Sequence, residues 1–144
     1  MSRRRLIENY LTVLPVLYKT MFKGLPDCSV TKLQMELLYH LKIEGGMPMN
    51  YYGKKIMVSK PNMSVLAEKM IEEGLVEKGT LENDKRVSTL KLTKRGGDFL
   101  DEEMTKFTRH LLDKLSVFSD EDIERLNDIV KEVQVIFSKL KNVN

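Results

Sequence analysis

Apolar residues recur at three- and four-residue spacing along most of the chain, and the breaks between those stretches outline a series of helices interrupted once by a β-biased run. Leu6, Ile7, Tyr10, Leu11, Leu14, Leu17, Tyr18, Met21, Phe22 and Leu25 form a wide stripe, which predicts a long amphipathic helix. Pro15 is expected to kink it and Gly24-Leu25-Pro26-Asp27 to end it. Thr31 with Gln34 three residues on is a capping-box pattern, and Leu33, Leu37, Leu38 and Leu41 supply the buried face of a second helix. After a break at Glu44-Gly45-Gly46-Met47-Pro48, Asn50 is placed as the cap of a short third helix to about Met57, with Tyr52 and Ile56 inward. Gly53 within it costs about 1 kcal/mol against alanine, which close helix approach would offset.

The stretch from Val58 to Gly97 carries the strongest local signals. Ser59 is placed as a helix cap, Pro61 suits the first turn, and Gly74 is a stop. Met63, Leu66, Ala67, Met70 and Ile71 share one face; Lys60, Asn62, Ser64, Val65, Glu68 and Lys69 occupy the other. Two β-biased runs follow, Leu75 to Lys78 and Val87 to Leu92, with Asn83-Asp84 in the turn region between them. Helix, turn, helix and β-wing is the order of a winged helix-turn-helix. Beyond it, Thr93 is placed as the cap of a long helix to about Ser116, with Phe99, Leu100, Met104, Phe107, Leu111, Leu112 and Leu115 on its apolar side. Ser119 then caps a last helix whose Asp120, Glu121 and Asp122 favour the positive end of the helix dipole. Its stripe runs from Ile123 through Leu126, Ile129, Val130, Val133, Ile136 and Phe137 to Leu140. The outer helices carry more apolar surface than one small domain covers, so a second copy of the chain is the expected partner.

Charge sharpens this picture. The net charge of +3 is unevenly placed: residues 54–97 hold 10 Lys+Arg against 6 Asp+Glu, and residues 98–144 hold 7 against 11. The basic segment coincides with the helix and wing, where a polyanion is drawn by counterion release. With 42% hydrophobic and 31% charged residues, the composition is that of an ordinary globular protein. No apolar run approaches the roughly 20 residues that span a bilayer. Glu8 and Asn9 soon after Arg3-Arg4-Arg5 leave no signal-peptide core, and a cytoplasmic location is expected. A single cysteine, Cys28, excludes an intrachain disulfide.

Gly74-Leu75-Val76, then Asp84-Lys85-Arg86, then Leu90-Lys91-Leu92-Thr93-Lys94-Arg95-Gly96 resemble the G-L-I/V, D-x-R and L-x-L-T-x-x-G elements of the multiple-antibiotic-resistance regulator (MarR) family of winged helix-turn-helix transcription regulators. The elements occur in the family's order, and the chain length suits it throughout. The resemblance implies a mainly α fold with a small β-wing: a single domain over residues 1–144, its DNA-binding part at 30–97 and its dimerisation helices at 1–25 and 98–144. It also implies a homodimer on a pseudo-palindromic operator in double-stranded DNA, acting as a repressor that a small aromatic or amphipathic effector releases.

Ser59, Lys60, Asn62, Ser64, Val65 and Lys69 on the fourth helix, with Lys85 and Arg86 on the wing, are the candidate DNA contacts. Asn62 and Ser64 suit base edges, Val65 a thymine methyl, and the lysines phosphates. Val65 stands where many relatives carry a basic residue. Arg86, carried over from the D-x-R element, enters the minor groove or holds the wing through Asp84. Effector pockets of relatives imply Tyr10, Tyr18, Phe22, Met35 and Tyr39 as candidate lining, although such residues at helical spacing are more often core.

Other chemistry finds little support. His40 and His110 fall in different predicted helices, away from Cys28, so no metal site is expected. There is no catalytic triad spacing, glycine-rich phosphate loop or recognisable pair of acids, so neither an enzyme nor a cofactor is expected. Cys28 follows the first helix and stands beside Asp27, whose charge would raise a thiol pKa; an inert thiol is expected. The alternatives are a winged-helix module that binds another protein, and a redox-sensing regulator using Cys28.

Overall fold

The structure, a computed structural model, describes residues 2–142. Residue 1 and residues 143–144, the extremes of the two segments assigned to dimerisation, lie outside the described residues. In chain order the elements are α1 (Arg3–Phe22), α2 (Lys32–Ile43), β1 (Met47–Pro48), α3 (Met49–Lys55), α4 (Lys60–Glu72), β2 (Val76–Thr80), β3 (Ser88–Leu92), α5 (Lys94–Leu115) and α6 (Asp120–Ser138), then a 3-10 turn, Lys139–Asn142. The class is mainly α with a small β-wing. The chain divides into two compact units, Pro26–Lys106 and Met1–Leu25 with Phe107–Asn144.

The first unit is a winged helix. Its core is Leu37, Leu38 and Leu41 of α2, Tyr52 of α3, Met63, Ala67 and Met70 of α4, Val76 of β2, Leu90 of β3 and Leu100 of α5, with Val30, Ile56 and Leu75 beside them. The capping box is formed: Gln34 N–H donates to Thr31 Oγ1 at 3.2 Å and Thr31 N–H to Gln34 Oε1 at 2.7 Å. Gln34 is buried by this role, whereas Leu33, expected inward, is 37% exposed because it lies one position off the face of Leu37, Leu38 and Leu41. Lys42 of α2 pairs with Asp101 of α5.

The break after α2 holds a strand that periodicity did not predict. β1 is antiparallel to β3, with Met47 opposite Leu90 and Pro48 opposite Thr89, and the sheet order is β1-β3-β2. β2 and β3 form the wing hairpin, with Val76 opposite Leu92 and Thr80 opposite Ser88. Because β1 takes up Met47 and Pro48, α3 starts at once, with Pro48 at the cap position and Asn50 already inside the first turn; Asn50 is therefore not the cap. The buried Tyr52 ties this junction together, its hydroxyl donating to Glu44 C=O at 2.6 Å and accepting from Met47 N–H at 3.1 Å. Gly53 is needed for close approach: a Cβ there would lie 3.3 Å from Val58 O and 3.4 Å from Met63.

The second unit contains α1, the end of α5 and α6. α1 continues through Pro15, and neither it nor α6 buries a single residue. Tyr18 stacks on Phe22 with centroids 4.4 Å apart, and Phe22 meets Phe107 at 5.6 Å. Leu112, expected inward, is 62% exposed, one position round from the Phe107, Leu111 and Leu115 face. Ser119 caps α6, accepting from Asp122 N–H at 3.2 Å. Leu6, Leu11, Leu14 and Leu17 of α1 and Ile129, Val133, Ile136 and Phe137 of α6 are all exposed.

Candidate nucleic-acid interface

The turn between α3 and α4 sets the direction of the α4 face. Val58 N–H bonds Gly53 C=O at 2.8 Å and Met57 N–H approaches Lys54 C=O at 3.4 Å, the paired bonds of a Schellman cap. Met57 occupies its left-handed position, at φ 58°, where glycine is the usual residue. α4 then starts at Lys60 with Pro61 in its first turn. Ser59 is at the cap position as expected, but its side chain makes no cap bond, which leaves the hydroxyl at the surface. At the other end Gly74, at φ 76°, closes the helix through a 2.9 Å bond to Ile71 C=O.

Met63, Ala67 and Met70 point into the core, and Lys60, Asn62, Ser64, Val65, Glu68 and Lys69 are exposed. Ser59, Asn62, Val65 and Lys69 come together, lining one side of a surface trough with Leu33, Met57 and Leu66. Ser64 lies elsewhere on the helix, its hydroxyl 3.8 Å from Met49 Sδ of α3, and Lys60 is outside the trough as well. Leu33 and Met57 are the members that sequence reasoning did not single out. Leu33 carried the signal of an inward residue, and Met57 carried none.

The wing tip is ordered by a short local motif. Asp84 accepts from the Arg86 backbone N–H at 3.0 Å and from its Nε at 3.1 Å, with a second guanidinium contact at 3.4 Å. The Arg86 side chain, and then its backbone N–H, hold the Asp84 carboxyl below its usual range. Arg86 remains almost fully exposed while held, and Lys85 beside it is exposed. At the wing base, Thr93 Oγ1 donates to Gly74 C=O at 2.6 Å and accepts from Gly96 N–H at 2.9 Å, so one side chain joins the end of α4 to the start of α5.

The candidate effector residues divide between the units: Tyr10, Tyr18 and Phe22 are on α1, Met35 and Tyr39 on α2. Tyr10, Tyr18 and Tyr39 are each about half exposed, and Met35 packs against the winged-helix core. Cys28 is exposed, with its thiol pKa pushed up chiefly by partial burial and further by Glu103, against the Val30 N–H. The carboxylate that acts on it is thus Glu103 of α5 rather than Asp27. Among the described residues no cluster of His, Cys, Asp and Glu could hold a metal, and no helix is long and apolar enough to cross a membrane.

Residues 29–87, from before α2 into the wing, match the sequence model of the MarR family. The HTH-type transcriptional regulator MhqR of Bacillus subtilis (strain 168) is 25% identical over 99 residues, an alignment that spans 69% of this chain and 66% of that relative's length. Among solved structures, the YusO protein from Bacillus subtilis superposes with a TM-score of 0.72 at 20% identity, over 93% of this chain and 98% of that one. The PcaV transcriptional regulator from Streptomyces coelicolor, in complex with its natural ligand, superposes at 0.64 and 17% identity, over 88% and 90%. These superpositions establish the winged-helix fold, and the family match covers the segment that holds α4, β2 and the wing tip but ends before β3. Residues 29–87 thus carry the match to the MarR family, and the described chain has the fold of the solved proteins it resembles.

Proposed function

We propose that two copies of this chain associate through α1 and α6 and bind a pseudo-palindromic operator, repressing transcription until a small molecule releases them. The observation that carries this reading is the pairing of two surfaces in one chain. One is a polar and basic α4 face with a wing tip that holds a cation outward; the other is a pair of helices that bury nothing and expose long apolar stripes. Stripes of that extent are the mark of a protein interface. A two-fold dimer presents two α4 helices to half-sites one helical turn apart. Asn62, Val65 and Lys69 would face the major groove, with Lys60 and Ser64 at its margins and Lys85 and Arg86 on the flanking backbone or minor groove.

Release by an effector is supported by PcaV, which was crystallised with its natural ligand. The effector expected here is a small aromatic or amphipathic molecule, with Tyr10, Tyr18, Phe22, Met35 and Tyr39 as the residues to substitute. Such a ligand acts only by preferring the dimer geometry that does not fit DNA. The test is selection of bound fragments from the source genome, followed by titration of the selected duplex at several salt concentrations and light scattering of the free protein. A dimer whose affinity falls steeply with salt is expected. A monodisperse monomer, or binding to duplex DNA with no salt dependence, would overturn the reading and favour a protein-binding module.

A further inference from the structure

Apart from Tyr39 and Ile43, the large apolar side chains left exposed on the winged-helix unit converge. Leu33, Met57 and Val65 line one open trough of about 420 Å³ beside α4. Val65 is 67% exposed and Met57 92%. Met57 is also the one described non-glycine residue in the left-handed region. Glycine would take that turn without steric cost. The chain instead places a flexible, polarisable side chain there, directed out of the fold. Strained positions of this kind cluster at functional sites.

The occupant follows from what borders the trough. Asn62 and Lys69 line it, and Lys54, Lys55 and Lys60 are exposed on α3 and the start of α4. The Asn62 amide and the Lys69 cation beside an apolar floor fit a polyanion that presents apolar groups at intervals. In the major groove of DNA the apolar feature is the C5-methyl of thymine. We infer that this chain selects its operator half-site through thymine methyls seated against Val65, Met57 and Leu33, with Asn62 and Lys69 supplying the adjoining polar contacts. The inference rests on the DNA-binding reading above and adds to it the base that is read and the means, contact with a methyl rather than a bidentate hydrogen bond.

The experiment replaces thymine by deoxyuridine, which removes the methyl and leaves base pairing unchanged. Duplexes of the selected operator, carrying the replacement at each thymine of the half-site in turn, are titrated with the full-length protein and its Val65→Ala and Met57→Ala variants. Loss of one seated methyl should weaken binding about four-fold, and symmetric loss in both half-sites about fifteen-fold. Replacement outside the footprint should change nothing. The variants alter exposed side chains and should stay folded; each should bind the thymine duplex more weakly and lose much of the discrimination against deoxyuridine. Equal affinity for thymine and deoxyuridine at every half-site position would overturn the inference while leaving operator binding intact. Discrimination that survives in both variants would overturn the assignment to the trough. Failure to bind any selected duplex would instead sink the proposed function, and this inference with it.

Discussion

Gly96 lies so close to Leu75 that a Cβ at position 96 would stand 1.9 Å from the Leu75 carbonyl oxygen. The contact joins the first turn of α5 to the residue leading into β2, next to the Thr93 bonds that span the same junction. Backbone sits on both sides of it, so no side chain can swing away to make room. Gly96→Ala should destabilise the protein by about 3 kcal/mol, at the upper end for overpacking. Gly97 is the internal control, since a Cβ there meets nothing within 4 Å. Gly97→Ala should be neutral or stabilise by up to about 1 kcal/mol through helix propensity. Urea unfolding at fixed protein concentration separates the two, and equal midpoints would refute the close-approach account.

Met57 gives the opposite expectation. The left-handed conformation costs a side-chain-bearing residue about 1–2 kcal/mol, part of which glycine returns as backbone entropy. Met57→Gly should therefore raise stability by about 1 kcal/mol while weakening operator binding. A variant both less stable and unchanged in DNA affinity would show that the methionine serves packing alone.

The wing tip should respond to acid in a defined direction. Asp84 has a lowered pKa in the fold, so the order it imposes is present above its unfolded value and is lost as pH falls through the depressed folded value. The carboxylate is partly exposed and its partner Arg86 almost fully so, and the effect is on local geometry. In an NMR titration the Arg86 amide, which donates to Asp84, should shift with a midpoint below the ordinary aspartate range. Asp84→Asn should remove that midpoint, and Arg86→Ala should weaken operator binding without lowering thermal stability. A midpoint at the ordinary aspartate value would mean that the pair does not persist in solution.

The unburied stripes of α1 and α6 should govern assembly. Ile129→Glu combined with Val133→Glu places two carboxylates on an exposed apolar face. The double variant should scatter light as a monomer and bind operator far more weakly than the parent. Retention of the parent's dimer would place the interface elsewhere.

Cys28 should be a poor redox sensor. A thiol whose pKa is raised by partial burial and by Glu103 holds less thiolate at neutral pH than a free cysteine, and thiolate is the reactive form. Peroxide should leave DNA affinity the same in the parent and in Cys28→Ser. Selective loss of binding by the parent would reverse the assignment.

How much of this was legible in the chain depends on the range of the interaction that carried it. The Thr31–Gln34 box and the Ser119 cap could be read because donor and acceptor lie within four residues of each other. The apolar face of α4 could be read because helical periodicity is local too. β1 could not: two residues, one of them proline, have no period, and their strand character comes from β3, more than forty positions later. Asn50 was misplaced for the same reason, since that pairing moves the helix start. Leu33 fits the apolar spacing of α2, but only tertiary packing decides which edge of a stripe is covered. Met57 had no signal because the left-handed position at a helix end is usually announced by glycine. Gly96 stood in the family signature before its cause was visible; the cause is a carbonyl twenty-one residues away.

The pairing of β1 with β3 has a mechanical corollary. Gly46 N–H bonds Leu90 C=O at 2.8 Å, so the strand that returns from the wing is stitched to the residues that launch α3 and, through it, α4. Tilting the hairpin would drag the reading helix along, and neither can be re-aimed alone. In the proposed dimer each copy would carry hairpin and helix as one stylus, and a chemical signal that silences it would act on the grip that holds two such tools in register instead of blunting either tip.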